Sequence, residues 1–283
     1  MFQASKPALA AISGLIAATA QAGEPLQLPR PDGSQTPLQV YRPAGECRAV
    51  AVLSHGAGGS EQALAYLAEA LQQAGWLALV PGHRESGRQV LRGEIRREGL
   101  RDGLLALTTD AAAYRARLEE IGTALHWGRG QCAGRFAVLL GHSMGAATVM
   151  LEAGAANRLG VSGGNRFDAY VALSPQGPGS IFPPQAWRGI QRPMLLLTGT
   201  RDQALEGEWT TRLLPFDDLP PGCHWLGVIR GASHANLGGG GFSAATQRAV
   251  TDSVLPYLDA LRSGHCAALP VLPGISLRSK NVR

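Results

Sequence analysis

The stretch that most constrains this chain is Phe136–Val149, FAVLLGHSMGAATV. The apolar run Phe136–Leu140 predicts a strand buried on both faces, as in a parallel sheet. It breaks at Gly141-His-Ser-Met-Gly145 and resumes as small helix formers from Ala146 to Ala156. Strand, glycine-flanked serine, helix is the context in which a G-x-S-x-G turn acquires a mechanism. The strained turn lifts Ser143 clear of the sheet edge, and the glycines let neighbouring backbone pass where a β-carbon would clash. Ser143 is therefore the candidate nucleophile; an ordinary turn serine is the plainer alternative.

The rest of the chain alternates strand and helix signals. Leu26–Tyr41 predicts a hairpin around Pro31-Asp-Gly-Ser34. Ala49–Ser54 is a buried strand running into His55-Gly-Ala-Gly-Gly59, and Ser60 is placed to cap a helix reaching about Gln73. Trp76–Val80 is the next strand, and Leu104–Trp127 reads as one long amphipathic helix. Further strands are predicted at Ala169–Leu173, Met194–Thr198 and His224–Ile229, with a closing helix at Ala244–Arg262. Such alternation implies a mostly parallel sheet with right-handed crossovers. The Pro- and Gly-rich stretch 175–184 reads as a compact loop, not a cap, and the tail after Cys266 as extended and partly disordered. The expected organisation is residues 1–22 as a leader, 23–266 as one α/β domain and 267–283 as a tail.

Lys6, the apolar run Pro7–Ala18 and the small-x-small sequence Ala20-Gln21-Ala22 form the pattern of a cleavable signal peptide. The run is too short to span a bilayer, and no cysteine follows the cleavage point, so no stable membrane anchor is expected. A periplasmic or secreted protein starting near Gly23 follows. In that compartment Cys47, Cys132, Cys223 and Cys266 can form two disulfides, and three pairings are open. Of the 26 basic residues only Lys6 and Lys280 are lysine, and no arginine cluster interleaves with aromatics, which argues against a nucleic-acid partner. Arg84, Arg88, Arg92 and Arg96 fall four apart and would form one stripe on a helix, either steering an anionic substrate or simply facing solvent.

A serine hydroxyl needs a base to take its proton and an acid to orient that base. Asp202 and His234 each follow a predicted strand end, where a doubly wound sheet collects its functional groups. His234 lies in a loop of Gly, Ser and Asn. His55 and His142, inside glycine turns, are expected to pack under the site, and His83 to border the cleft. His126, His224 and His265 read as surface or helix-end residues. Glu206, Glu208 and Asp217 are rivals of Asp202. Two backbone N–H groups should meet the developing oxyanion: Met144, directly after the serine, and Ala57, in the glycine turn. That turn lacks the ending of a phosphate-binding loop. No cofactor and no metal are called for.

Taken together, Ser54-His-Gly56 with Gly58-Gly59, Gly141-His-Ser-Met-Gly145, Gly199-Thr-Arg-Asp202 and Ser233-His234 resemble the serine α/β-hydrolases in kind and in chain order. The nearest branches are secreted bacterial members related to platelet-activating-factor acetylhydrolase, dienelactone-hydrolase-like proteins and polyester hydrolases. The resemblance runs from about Tyr41 to Leu261. It implies an α/β-hydrolase fold with an eight-stranded sheet, one antiparallel edge, helices on both faces and no large cap domain. It also implies ester hydrolysis without a cofactor; the expected partner is a small or polymeric ester, and the expected state a monomer. Ser143 replaces the cysteine of true dienelactone hydrolases, which removes dienelactone as the implied substrate. The strand order of that family makes Ala49–Ser54 and the strand at Phe136 neighbours. The implied pairing is then Cys47–Cys132 and Cys223–Cys266, both at the edge opposite Ser143. The same residues could serve a peptidase, an acyltransferase or a perhydrolase, or remain on a binding module that has lost catalysis.

Overall fold

The buried strands assemble into one nine-stranded sheet in a computed structural model that describes residues 23–241, 243–266 and 268–281. The expected signal peptide lies outside the described residues. The strands are β1 (Glu24–Pro29), β2 (Gln35–Tyr41), β3 (Ala49–Ser54), β4 (Trp76–Pro81), β5 (Ala137–His142), β6 (Ala169–Leu173), β7 (Met194–Arg201), β8 (His224–Ser233) and β9 (Ile275–Ser279). Their order is β1-β2-β4-β3-β5-β6-β7-β8-β9. The run from β4 to β8 is parallel. The hairpin β1–β2 closes one end and β9 the other, both antiparallel.

Alternation along each strand accounts for helices on both faces. In β3, Val50 and Val52 point to one core, with Leu118, Ile121 and Leu139, while Ala49, Ala51 and Leu53 point to the other, with Leu67, Val254 and Tyr257. That is the two-residue period of a strand buried on both sides. The first core lies under α4 (Ala111–Gln131) and α5 (Met144–Glu152), the second under α1 (Ala65–Gln73) and α8 (Ala244–Arg262). Each fully buried Leu or Val contributes roughly 1.5–3 kcal/mol. Every residue of α5 is buried, and its Gly and Ala content lets it sit close against the sheet. Its one carboxylate, Glu152, is neutralised by Arg166 at 2.8 Å.

Four expectations are corrected. The tail is ordered enough to add β9: Ile275 and Leu277 alternate onto the second core and Ile275–Ser279 pairs with β8, so the sheet has nine strands, not eight. Ser60 caps only a turn, its Oγ accepting from the Gln62 amide at 3.3 Å, and α1 starts at Ala65. The long helix is two: α3 (Leu100–Thr108) stops before Asp110, whose carboxylate caps α4 at the Ala112 amide, 2.8 Å away. With α2 (Arg88–Glu98), α3 forms a helical hairpin broken at Gly99. Arg84 lies in a short turn before α2, and Arg88, Arg92 and Arg96 lie on it; none of the four is buried, as on a solvated face. Finally, His224 is fully buried at the start of β8 instead of lying at the surface.

Cys47 is bonded to Cys132 and Cys223 to Cys266, with Cα–Cα distances of 5.3 and 5.4 Å and sequence separations of 85 and 43. Both bonds sit at the amino-terminal ends of β3, β5 and β8, away from the turn after β5. Each is expected to contribute about 2–4 kcal/mol, mainly by restricting the unfolded chain. Reduction should therefore lower the melting temperature and leave room-temperature turnover nearly unchanged. A thermal scan and an activity assay, each with and without dithiothreitol, check this; equal loss of both would tie a disulfide to the site.

Candidate active site

Sterics at the β5–α5 turn place Ser143. Its φ of 58° is a left-handed conformation rarely adopted by a residue with a side chain, a strain of order 1–3 kcal/mol. Close packing enforces it. A β-carbon on Gly145 would run into the Ser54 carbonyl, and one on Gly141 into that of Gly145. The Ser143 amide is anchored on the Leu173 carbonyl at 3.0 Å. The hydroxyl is left pointing from the sheet edge into a cavity of about 510 Å³.

The structure brings Ser143, His234 and Asp202 together. His234 Nε2 lies 2.9 Å from Ser143 Oγ, and His234 Nδ1 lies 2.7 Å from Asp202 Oδ1. With the Nδ1 proton donated to the carboxylate, Nε2 is left to accept from the serine. Asp202 is fully buried and its second oxygen accepts from Thr198 Oγ1 at 2.9 Å. A register shift in β7 beside Gly199 turns the chain so that Asp202 leaves the strand under His234. Past α6 (Leu214–Asp218), His234 opens a short helical turn, α7 (His234–Leu237), capped by Ser233 and Asn236. The rival acids lie elsewhere: Glu206 accepts from Ser180, Glu208 from Gln203, and Asp217 pairs with Arg278.

Ala57 and Met144 flank the serine. In the turn Gly56–Gly59, the Gly58 amide donates to Ser86 and the Gly59 amide to Gly56, at 2.8 and 3.1 Å. The amides of Ala57 and Met144 donate to no backbone carbonyl among the described residues. Both remain free to meet an oxyanion. Gly56 lies against Ser143, where a β-carbon would sit 3.2 Å from that of the serine.

Of three supports, Arg212 and Tyr66 carry no local signal in the sequence, whereas His142 lies under the site as its glycine turn leads one to expect. Arg212 is buried beneath the site: Nε is 3.1 Å from Asp202 Oδ1, and the guanidinium also donates to the carbonyls of Asp202, Ser174, Pro175 and Gln203. Burial pulls the Asp202 carboxyl up, but the His234 hydrogen bond and the Arg212 charge outweigh it and hold it below its ordinary range. His142 packs against the His234 ring at 4.7 Å and donates from Nε2 to the His234 carbonyl at 2.9 Å. Tyr66 donates to the Leu237 carbonyl at 2.9 Å, tying α7 to α1. His83, expected to border the cleft, is instead buried behind the glycine turn, 2.5 Å from Glu120. His55 is buried there too, as expected.

The cavity walls combine Ala63, Leu104, Ala204 and Leu205 with the neutral polar groups of Thr108, Gln176 and Gln203. Leu104 and Thr108 come from α3, so the helical hairpin shapes the pocket. Among the described residues, no group of three or more His, Cys, Asp or Glu side chains is placed to hold a metal ion. No helix among them is long and apolar enough to cross a membrane.

Four buried histidines are expected to make the fold acid-sensitive. Burial pushes His55 and His83 well below their ordinary value, His142 to about 3 and His224 to about 4. Each is neutral when folded and takes a proton on unfolding below about 6.5, so stability is held above that pH and lost as pH falls toward 3 to 4. The loss approaches 1.4 kcal/mol per pH unit for each fully titrating histidine. Glu120, which burial raises to about 7, opposes by one group. Denaturant midpoints should fall steeply from pH 7 to pH 5; a flat profile would contradict the burial of these rings.

No model of a known protein family matches the chain, and no curated protein matches it. Among solved structures, 953 chains match it, so the architecture is widespread and by itself names no substrate. One is a puromycin-hydrolyzing peptidase of Mycobacterium tuberculosis, similar at 16% identity with a TM-score of 0.56 over 83% of this chain. This chain spans only 38% of that protein. At that identity the likeness is one of fold: a mostly parallel sheet flanked by helices, of α/β-hydrolase type.

Proposed function

We propose that the protein is an exported serine hydrolase that cleaves carboxylic esters through an acyl-enzyme. The observation that carries this is the unbroken chain Ser143–His234–Asp202, with distances of 2.9 and 2.7 Å, beside two unspent backbone amides. His234 takes the Ser143 proton as Oγ attacks the ester carbonyl. The oxyanion is held by the Met144 and Ala57 amides, and losing such a donor typically costs on the order of 100-fold in rate. His234 then returns the proton to the leaving alcohol, and a water repeats the sequence on the acyl-enzyme. Asp202 fixes the ring and stabilises its charged form. Two disulfides and the leader-like N-terminus support an oxidising, periplasmic or extracellular location.

A peptidase is the second reading, favoured by the description of the structural neighbour. It is weakened by the pocket: none of its lining residues is an Asp or Glu that could hold a substrate α-amino group. The Arg212 guanidinium, committed to four carbonyls and Asp202, has little left for a substrate carboxylate. Neutral esters are the substrates this lining suits. A series of p-nitrophenyl esters of increasing acyl length, run beside aminoacyl anilides, tests the assignment. Ester turnover without anilide turnover is expected, and the reverse would replace the esterase reading with the peptidase one.

A further inference from the structure

A buried polar array lies behind the turn that carries Ala57, and the hydrolytic steps do not use it. Its centre is Arg117, on α4, which is fully buried. Arg117 Nη1 donates to the His55 carbonyl at 2.6 Å, the residue that opens the turn. Its Nε donates to Ser86 Oγ at 2.8 Å, and the Ser86 carbonyl accepts the Gly58 amide at 2.8 Å. One guanidinium thus grips the segment on both sides of Ala57.

A buried cation must be answered by a negative charge. No carboxylate forms an ion pair with Arg117 among the described residues; the answer is relayed. Arg117 Nη1 also donates to Ser54 Oγ at 3.1 Å. Ser54 Oγ, having accepted there, donates to His83 Nε2 at 2.9 Å, and His83 Nδ1 donates to Glu120 Oε2 at 2.5 Å. Arg30, from the β1–β2 hairpin, and Thr36 complete the Glu120 shell at 2.8 and 3.1 Å. Burial holds His83 well below its ordinary value, which agrees with a neutral ring donating from Nδ1 alone. Other groups facing the array are His55, whose Nε2 accepts the His83 amide, Glu85, paired with Arg30 at 2.7 Å, and the buried Tyr114, whose hydroxyl donates to the Thr108 carbonyl.

We propose that Arg117, with its relay Ser54–His83–Glu120, is the positioning element of the oxyanion turn: it holds the peptide planes from His55 to Gly58 so that the Ala57 amide faces the carbonyl oxygen of a bound ester. Serine, histidine and carboxylate here are not a second catalytic set, because all three are buried and none touches substrate. The Ala57 N–H shares its peptide plane with the Gly56 carbonyl, which His55 Nδ1 and the Gly59 amide hold at 2.7 and 3.1 Å. Arg117 fixes the two planes that flank it, at the His55 carbonyl directly and at the Gly58 amide through Ser86. A small misplacement of a preorganised donor weakens the transition state and not substrate binding.

This inference rests on the serine hydrolase reading. The experiment measures kcat and KM on a p-nitrophenyl ester and the inhibition constant of a trifluoromethyl ketone, which mimics the tetrahedral adduct, for wild type, Arg117→Met, Glu120→Gln and Ser54→Ala. Arg117→Met and Glu120→Gln should lower kcat on the order of 10- to 100-fold, leave KM within about twofold, and weaken the ketone in parallel with kcat. Ser54→Ala keeps the grip on His55 and should lose kcat only severalfold, in the same pattern; it decides the question if the other two do not fold. Variants that lose melting temperature while kcat and ketone inhibition of the folded protein stay at wild-type values would overturn the positioning role. Wild type that hydrolyses no ester would instead remove the parent reading, so the two failures are distinguishable.

Discussion

Ser143→Ala is expected to fold normally and to lose turnover by about 10⁵ or more, as serine hydrolases do when the nucleophile is removed. The loss is large because the neighbouring hydroxyls are otherwise engaged: Ser54 is buried and committed to Arg117 and His83, and Thr108, in the cavity wall, donates to the Leu104 carbonyl. Stability should hardly change. Alanine at a φ of 58° carries the same backbone strain as serine, and the turn is enforced by Gly141 and Gly145, which remain. His234 keeps Asp202 and its contact with His142. A fluorophosphonate probe should label the wild type once and the variant not at all. Labelling that persists in Ser143→Ala would place the nucleophile elsewhere.

Asp202→Asn should lower turnover by about 10⁴, because an amide in place of the carboxylate favours the wrong imidazole tautomer and withdraws the charge that stabilises the imidazolium. A second effect comes from Arg212. Its guanidinium is buried 3.1 Å from Asp202 Oδ1, and neutralising that partner leaves a cation uncompensated. Breaking a buried pair costs about 3–5 kcal/mol, and the carbonyls around Arg212 place this case at the low end. Asp202→Asn is thus expected to lose both activity and several degrees of melting temperature while keeping its fold. Glu206→Gln serves as the control: among the described residues Glu206 accepts only from Ser180, and its loss should leave turnover intact. A crippled Glu206→Gln beside an active Asp202→Asn would reverse the assignment of the acid.

The features legible in the sequence are those that depend on neighbours in the chain. Ala49–Ser54, Ala169–Leu173 and Ala244–Arg262 occupy the predicted ranges because strand and helix periods are local patterns of apolar residues. The turn at Ser143 is legible because an apolar run that stops at a serine between two glycines matches a tight strand-to-helix turn and little else. Asp202 and His234 stand out because both follow strand ends, and the ends of a parallel sheet face one way. Helix breaks are less legible: the amphipathic pattern runs through Thr109 and Asp110, and only the cap geometry shows that Asp110 starts a new helix. The tail is hard to read for a related reason. A five-residue strand with two inward apolar side chains is marginal alone and is held by its pairing with β8.

Local pattern in this chain determined the layered α/β architecture and named the three residues of the candidate site, since backbone sterics and burial periods are properties of a segment. Tertiary structure alone decided which charged side chains sit beneath that site. Among many arginines, nothing in the residues around Arg212 or Arg117 marks them. Each becomes a functional support only because a fold brings it, buried, against carbonyls and carboxylates far away in sequence, and a buried charge takes its meaning from its partners.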